Sequence, residues 1–347
     1  MKLSDICDVY SGYAFKTFND LGHGVPVIKI SNLLTDGSID LINCLFTTEN
    51  IKDKFYSKKS DIYIALSGAT TGKISIMDKD DTFAINQRVG IVRNRSTIPN
   101  EYLKYFLMSK SNRILEEASG CAQPNISPKQ IANYDVPKCS GAEMNEIVSE
   151  LRKIDKIKNT YQKQLELLDE LVRARFVEMF GEIEDCDKWK SKIWNEVVTI
   201  QNGRDYKKVL VSDGGYPVVG TGGEIARSSG YLCPENTIVV GRKGSINNPM
   251  LMREKFWNVD TAFGVIPNSD YLHYQYFYYF CKFYNFMKLN KATTLPSTTK
   301  ADLLKIRINI PPLELQNQFA SFVEEIDKSR LLSNHSLFLL KSITFNH

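Results

Sequence analysis

The chain has 347 residues, 43% of them apolar and 24% charged, the balance of a soluble globular protein with room for two or three domains. Its net charge of +4 divides as +2 over residues 1–142, −1 over 143–180, +4 over 181–310 and −1 over 311–347, so the surplus lies on the parts outside the predicted long helices, with the sign that phosphates attract. No apolar run nears the roughly 18 residues of a membrane span, the N-terminus lacks a signal-peptide pattern, which points to the cytoplasm, and the seven cysteines (Cys7, Cys44, Cys121, Cys139, Cys186, Cys233, Cys281) lack the spacing of a disulfide framework or a zinc site.

The first elements are a loop, Ser11-Gly12-Tyr13-Ala14-Phe15-Lys16, and a strand over 25–30 that ends at Ser31-Asn32. Loops that set Tyr and Lys beside small residues suit nucleic acid, since cations find phosphates and flat side chains stack on bases or sugars. Tyr13, Lys16, Lys29, Ser31 and Asn32 are therefore candidates; the plainer reading is a pair of solvated hairpin ends. A strand over 61–66 follows, then Gly68-Ala69-Thr70-Thr71-Gly72-Lys73 and a second strand over 74–77. The glycines resemble a phosphate-binding P-loop, but the spacing is one residue short, and Ile74 stands where a magnesium-holding hydroxyl is needed. A Gly-rich hairpin that presents Lys73 and free backbone N–H groups is the expectation.

Asn86-Gln87-Arg88 precedes a strand over 89–92. Amides can bond adenine and a guanidinium can bond guanine in the major groove, so all three are base-reading candidates, with local turn bonds as the structural alternative. Residues 102–107 predict a helix that lays its rings on the sheet. Gln123-Pro124-Asn125-Ile126-Ser127 forms a turn before a short helical piece, and adds Gln123 and Asn125 to the candidates.

Residues 143–180 predict one long helix. Ile147, Leu151, Ile154, Tyr161, Leu165, Leu168, Val172 and Met179 fall on alternating steps of three and four, interrupted by Lys158 and Arg175. A seam this narrow zips against another helix, whereas a globular core demands a wider face. Gly181 ends the helix, and an acidic stretch over 182–187 leads onward. The earlier motifs then return: Gly203-Arg204-Asp205-Tyr206-Lys207, a Pro-led strand before Gly220-Thr221-Gly222-Gly223, a strand before Gly241-Arg242-Lys243-Gly244-Ser245, Asp260-Thr261-Ala262 before another strand, an aromatic helix over 274–280, and Leu295-Pro296-Ser297-Thr298-Thr299-Lys300. The corresponding candidates are Arg204, Tyr206, Lys207, Thr221, Arg242, Lys243, Ser297, Thr298 and Lys300. Pro311-Pro312 opens the second long helix.

Pro124–Ile154 and Pro296–Ile326 align without a gap at an offset of 172, and end in Ile154-Asp155-Lys156 and Ile326-Asp327-Lys328. Phe319, Val323, Ile326, Leu337 and Leu340 repeat the positions of Ile147, Leu151, Ile154, Leu165 and Leu168, and Arg330 repeats Lys158. The chain thus reads as an α+β protein built twice: two similar mixed domains at 1–142 and 181–310, and two spacer helices at 143–180 and 311–347.

Taken together, this doubled order resembles the specificity subunits of type I restriction-modification enzymes, over essentially the whole chain. The motifs that carry the resemblance are Ser11 to Lys16, Gly68 to Lys73, Gln123 to Ser127 and Pro311-Pro312-Leu313-Glu314. It implies two target recognition domains, each reading one half of a bipartite DNA site, and helices that pair antiparallel and dock two methyltransferase subunits. It also implies no catalytic centre in this chain: S-adenosylmethionine binds the modification subunits, and ATP with magnesium serves the restriction subunits. One departure is the length of the second helix, which would have to reach residue 352 to mirror the first, so Phe176 to Phe180 has no repeated equivalent.

Helices of about 35 residues span about 50 Å, or about 15 base pairs, so a helix pair is expected to act as a ruler between half-sites read on opposite strands. Two other classes compete. A self-contained methyltransferase or nuclease would need a catalytic motif, and Ile310-Pro311-Pro312-Leu313 fails the Asn/Asp-Pro-Pro-aromatic pattern at both ends. A coiled-coil scaffold that binds only protein would leave the Gly-rich basic loops unexplained twice.

Overall fold

The computed structural model describes residues 1–118, 124–183, 188–290 and 296–345, the last five without their side chains. The chain divides into two compact units, Met1–Tyr161 with Ser336–His347, and Gln162–His335.

The first unit contains α1 (Leu3–Ile6), β1 (Cys7–Ser11), β2 (Val25–Ile28), β3 (Leu45–Thr47), β4 (Ile62–Ala65), β5 (Ile74–Ile76), β6 (Ala84–Ile85), β7 (Val89–Asn94), α2 (Asn100–Ser109), α3 (Ser111–Ala118), α4 (Pro128–Ala132) and the first half of α5 (Gly141–Phe180). Its main sheet is antiparallel in the order β1-β7-β4-β5. The unbroken apolar run of β4 follows from burial on both faces. Ile62 and Ile64 join a core with Leu103, Phe106 and Leu107 of α2, while Tyr63 and Ala65 join another with Ile28 and Ile85. Side chains alternate across a strand, so a doubly covered strand has no polar positions to offer water. Each fully buried isoleucine contributes about 1.5–3 kcal/mol. The second core is closed by a smaller sheet, β3-β2-β6, in which β2 and β6 run parallel.

The second unit contains β8 (Ser191–Ile193), α6 (Trp194–Val197), β9 (Val198–Asn202), β10 (Leu210–Val211), β11 (Tyr216–Gly220), β12 (Gly223–Ser228), β13 (Thr237–Gly241), β14 (Met250–Met252), β15 (Trp257–Asn258), β16 (Ala262–Pro267), α7 (Tyr274–Phe283), α8 (Lys300–Leu303), β17 (Arg307–Asn309) and most of α9 (Leu313–Phe345). Its main sheet, β9-β16-β13-β14, has the same antiparallel order as the first. Its smaller sheet, β10-β12-β11-β15, again holds one parallel pair, β11 with β15. Ile238 and Val240 of β13 face Tyr276, Phe277 and Phe280 of α7, and Val239 faces Val219 and Phe256. The repeat in sequence is a repeat of topology.

Within this second unit the end of α5 and the start of α9 pack antiparallel. Phe176 and Phe180 each lie 5.5 Å from the Phe319 ring, and further along Arg330 Nη2 donates to Asp169 Oδ1 at 2.6 Å. Val172, Phe176, Phe180, Phe319, Val323 and Ile326 are all buried. Leu151, Ile154, Tyr161, Leu165 and Leu168 are half-buried between mostly exposed neighbours, as the three-and-four spacing requires, and so are Leu337 and Leu340.

Ile147 departs from the expected seam and is 39% exposed, whereas Met144 and Val148 are buried beside it. At this end α5 packs on the core that holds Tyr102 and Leu103, and a globular core takes a wider face than a helix seam does. The Phe176–Phe180 end likewise belongs to a core, that of the second unit, with Tyr276 at 5.6 and 4.7 Å. The polar break in the seam is a built cluster in both units. Arg330 Nη1 donates to Asp327 Oδ1 (2.9 Å) and to the Tyr279 hydroxyl (3.2 Å). Lys158 pairs with Asp155 at 3.5 Å, and the Tyr105 hydroxyl donates to Asp155 Oδ2 at 2.8 Å.

Candidate nucleic-acid interface

Four loops of the first unit meet at one end of the main sheet. The N–H of Gly12 donates to Val89 O (2.9 Å), that of Tyr13 to Ile85 O (2.7 Å), that of Leu66 to Arg88 O (2.9 Å) and that of Gly68 to Pro124 O (3.1 Å). Ser67 forms a β-bridge with Asn125, and Tyr13 forms one with Asn86. Gly12 is required there, because a Cβ would run into the carbonyl oxygens of Ile85 and Asn86. Lys29 adjoins the cluster, since Asn86 N–H donates to Ile28 O at 3.0 Å. Lys16, Ser31, Gln87, Arg88 and Asn125 are exposed, and Tyr13 and Lys29 are half-buried. The Tyr13 ring packs edge-on to Phe15 at 5.1 Å, and Lys29 Nζ lies 5.0 Å over the Phe18 ring.

The loop that carries Lys16 is tied down by Glu49, a residue with no sequence signature. Its Oε1 accepts the amides of Thr17 (2.9 Å) and Lys16 (2.7 Å) and the Thr17 hydroxyl (3.2 Å). The Thr17 amide first, with the Lys16 amide behind it, holds this carboxyl below the usual carboxylate range.

The second unit repeats the convergence with more cations. Arg204 N–H donates to Asn258 O (3.0 Å), Gly244 N–H to Pro296 O (2.9 Å), and the amides of Arg242 and Lys243 both reach Thr261 O (2.8 and 3.3 Å). Lys243 forms a β-bridge with Ser297. The indole N–H of Trp257 donates to Arg204 O at 3.0 Å, and Val259 N–H bonds Val219 O at 3.1 Å, which brings in the turn that holds Thr221. Arg204, Lys207, Arg242 and Lys243 are exposed, and Tyr206, Thr221 and Ser297 are half-buried. Backbone-bonded loops that expose cations suit phosphate contact, while nearby amides and hydroxyls suit base edges.

Several candidates serve the fold instead. Asn32 is buried, its Nδ2 donating to Asp40 O (3.0 Å) and Asn43 O (3.2 Å). Asn86 is buried and accepts Arg88 N–H at 3.2 Å, and buried Thr298 donates to Gly241 O at 2.8 Å. Lys300 Nζ donates to Ile200 O at 2.8 Å. The short polar side chains that could read a base are also those that satisfy loop backbone locally. The hairpin expected to offer free N–H groups does not: the amides of Gly68, Thr71, Gly72 and Lys73 bond Pro124, Gly68, Ala65 and Thr70, and Lys73 is half-buried. Gln123 lies outside the described residues. Among the described residues no group of three or more His, Cys, Asp or Glu could hold a metal ion, and no helix is long and apolar enough to cross a membrane.

Known proteins share this fold. The family model of the type I restriction modification DNA specificity domain matches residues 1–168 and 186–337. The Type I restriction enzyme MjaVIII specificity subunit of Methanocaldococcus jannaschii is 28% identical over 179 residues, which is 49% of this chain and 42% of that protein. The aligned part is therefore less than half of that relative's length. The crystal structure of the S subunit of a type I restriction-modification system from M. genitalium shares the fold, with a TM-score of 0.57 at 16% identity over 99% of this chain and 93% of that one. A structure that describes assembly and conformational transition of the type I R-M system gives 0.52, also at 16% identity, over 99% and 95%. With the family domain matched twice, once in each half of a chain whose two units repeat one topology, the protein belongs to the family of type I restriction-modification DNA specificity domains.

Proposed function

We propose that the chain is the DNA-reading subunit of a type I restriction-modification complex, each unit recognising one half of a bipartite duplex site. One observation carries this reading: two units whose main sheets have the same strand order each gather four corresponding loops, and each cluster exposes cations beside amides or hydroxyls. Lys16, Arg204, Lys207, Arg242 and Lys243 would grip phosphates and set register, and Gln87, Arg88 and Asn125 would meet base edges. The paired helices α5 and α9 set the spacing between half-sites and dock two methyltransferase subunits. The chemistry belongs to partners in the cytoplasm: S-adenosylmethionine and base flipping to the modification subunits, ATP with magnesium to restriction subunits.

The test exchanges residues 1–142 for the matching segment of another family member, expresses the chimaera with its methyltransferase, and maps methylated sites across the host genome. One half of the target should change and the other persist. Change in both halves, or in neither, would overturn modular reading; methylation by the purified chain alone would overturn the division of labour.

A further inference from the structure

Resting on the DNA-reading function proposed above, we propose that Asp260 is a specificity-determining residue of the second unit, accepting a hydrogen bond from the exocyclic amine of a cytosine or adenine in the major groove. The assignment begins from an equivalence that the sequence offset conceals. In the first unit Val89 N–H donates to Asn86 O at 2.9 Å, and in the second Ala262 N–H donates to Val259 O at 3.0 Å. Both bonds close a four-residue turn that opens a main-sheet strand, β7 or β16, and both strands then pair in the same way, Val89 with Ala65 and Ala262 with Gly241. Beneath each turn lies an indispensable glycine, Gly12 or Gly203, where a Cβ would strike the turn's own carbonyls. The two turns are therefore one device, and its first tip residue is Gln87 in one unit and Asp260 in the other.

Both tip side chains are exposed. Asp260 differs from the carboxylates that brace these loops in what it does not do. Glu49 and Asp205 accept backbone amides and so hold their own loops in shape. Among the described residues the Asp260 carboxylate has no hydrogen bond and no ion pair; its backbone carbonyl alone takes Arg242 Nη1, at 3.5 Å. Yet the neighbouring loops expose Arg204, Arg242 and Lys243, an environment for phosphates in which a free carboxylate is repelled by the same phosphates. A carboxylate at that tip is compatible with duplex only where it meets donors, and the donors that a duplex offers in the major groove are the amines of cytosine and adenine. Gln87 at the equivalent tip has both a donor and an acceptor, and so reads a different pattern.

The experiment selects the full-length chain, assembled with its methyltransferase, against a randomised duplex library. Wild type, Asp260→Ala, Asp260→Asn and Gln87→Ala are compared, with far-ultraviolet circular dichroism and its thermal melt confirming that each is folded. Asp260→Ala should lose preference at one base pair of one half-site, on the order of tenfold, and Gln87→Ala should lose it only in the other half-site. Duplexes in which that adenine is replaced by purine, or that cytosine by 2-pyrimidinone, lack the amine in question; the one that weakens wild type tenfold but leaves Asp260→Ala unchanged identifies the base. If Asp260→Ala and Asp260→Asn select the wild-type sequence at every position, with or without a uniform loss of affinity, the assignment is overturned. If wild type itself selects no bipartite sequence, the DNA-reading function fails, and this assignment with it.

Discussion

Replacing Phe176 by alanine separates two roles for the end of α5, a spacer rod or a piece of domain core. Phe176 is 1% exposed and packs against Phe180, Tyr276, Phe283 and Phe319 at centroid distances of 5.1, 5.6, 5.4 and 5.5 Å. Truncating so enclosed a ring costs about 3–5 kcal/mol, from lost transfer energy and the cavity left behind. With a urea dependence of about 2 kcal/mol per molar, the unfolding midpoint should fall by about 1.5–2.5 M. The assay is built in: all three tryptophans, Trp189, Trp194 and Trp257, lie in the second unit, and buried Trp194 sits 5.1 Å from Phe277 in the same core. Tryptophan fluorescence therefore follows unfolding of that unit. Ile147→Ala, on the same helix but exposed and in the first unit, should leave the midpoint in place. An unmoved midpoint in Phe176→Ala would refute the assignment of this helix end to the core.

Two further outcomes follow from the same structure. In nuclear magnetic resonance titrations the amides of Lys16 and Thr17 should shift together with Glu49; because this carboxyl is held low in the fold, the anchor is complete above the ordinary glutamate pKa and is lost as pH falls through the lower folded value, so a common midpoint at or above the ordinary value would contradict it. Leu165→Asp places a carboxylate at a half-buried seam position and should weaken helix pairing by on the order of 2 kcal/mol. Assembly with the methyltransferase, followed by gel filtration, should be lost while tryptophan fluorescence stays native, and unchanged assembly would count against the seam.

Much of the fold was legible because the signals are local. The unbroken runs in β4 and β13 announce strands covered on both faces, the three-and-four steps from Leu151 to Met179 announce a helix seam, and the constant offset from Pro124 to Ile154 announces a duplication. The site was legible at the level of loops. Tyr13, Gln87, Arg88, Asn125, Arg204, Arg242 and Lys243 do lie on loops that converge in the two clusters, where Gly12 and Gly203 leave the chains room to cross closely.

Individual roles were not legible, for a reason that Ile147, Thr298 and Lys300 show. Periodicity is set by 1.5 Å of rise or by the alternation of a strand, both properties of neighbouring residues. Whether a polar side chain is available depends on partners far along the chain: Thr298 is engaged by Gly241, and Lys300 by Ile200. By itself, then, the order of residues determined two copies, their strands and the seam of their helices. Only the tertiary structure decided which face of α5 meets a core, and which loop groups still have unbonded donors and acceptors to offer a ligand.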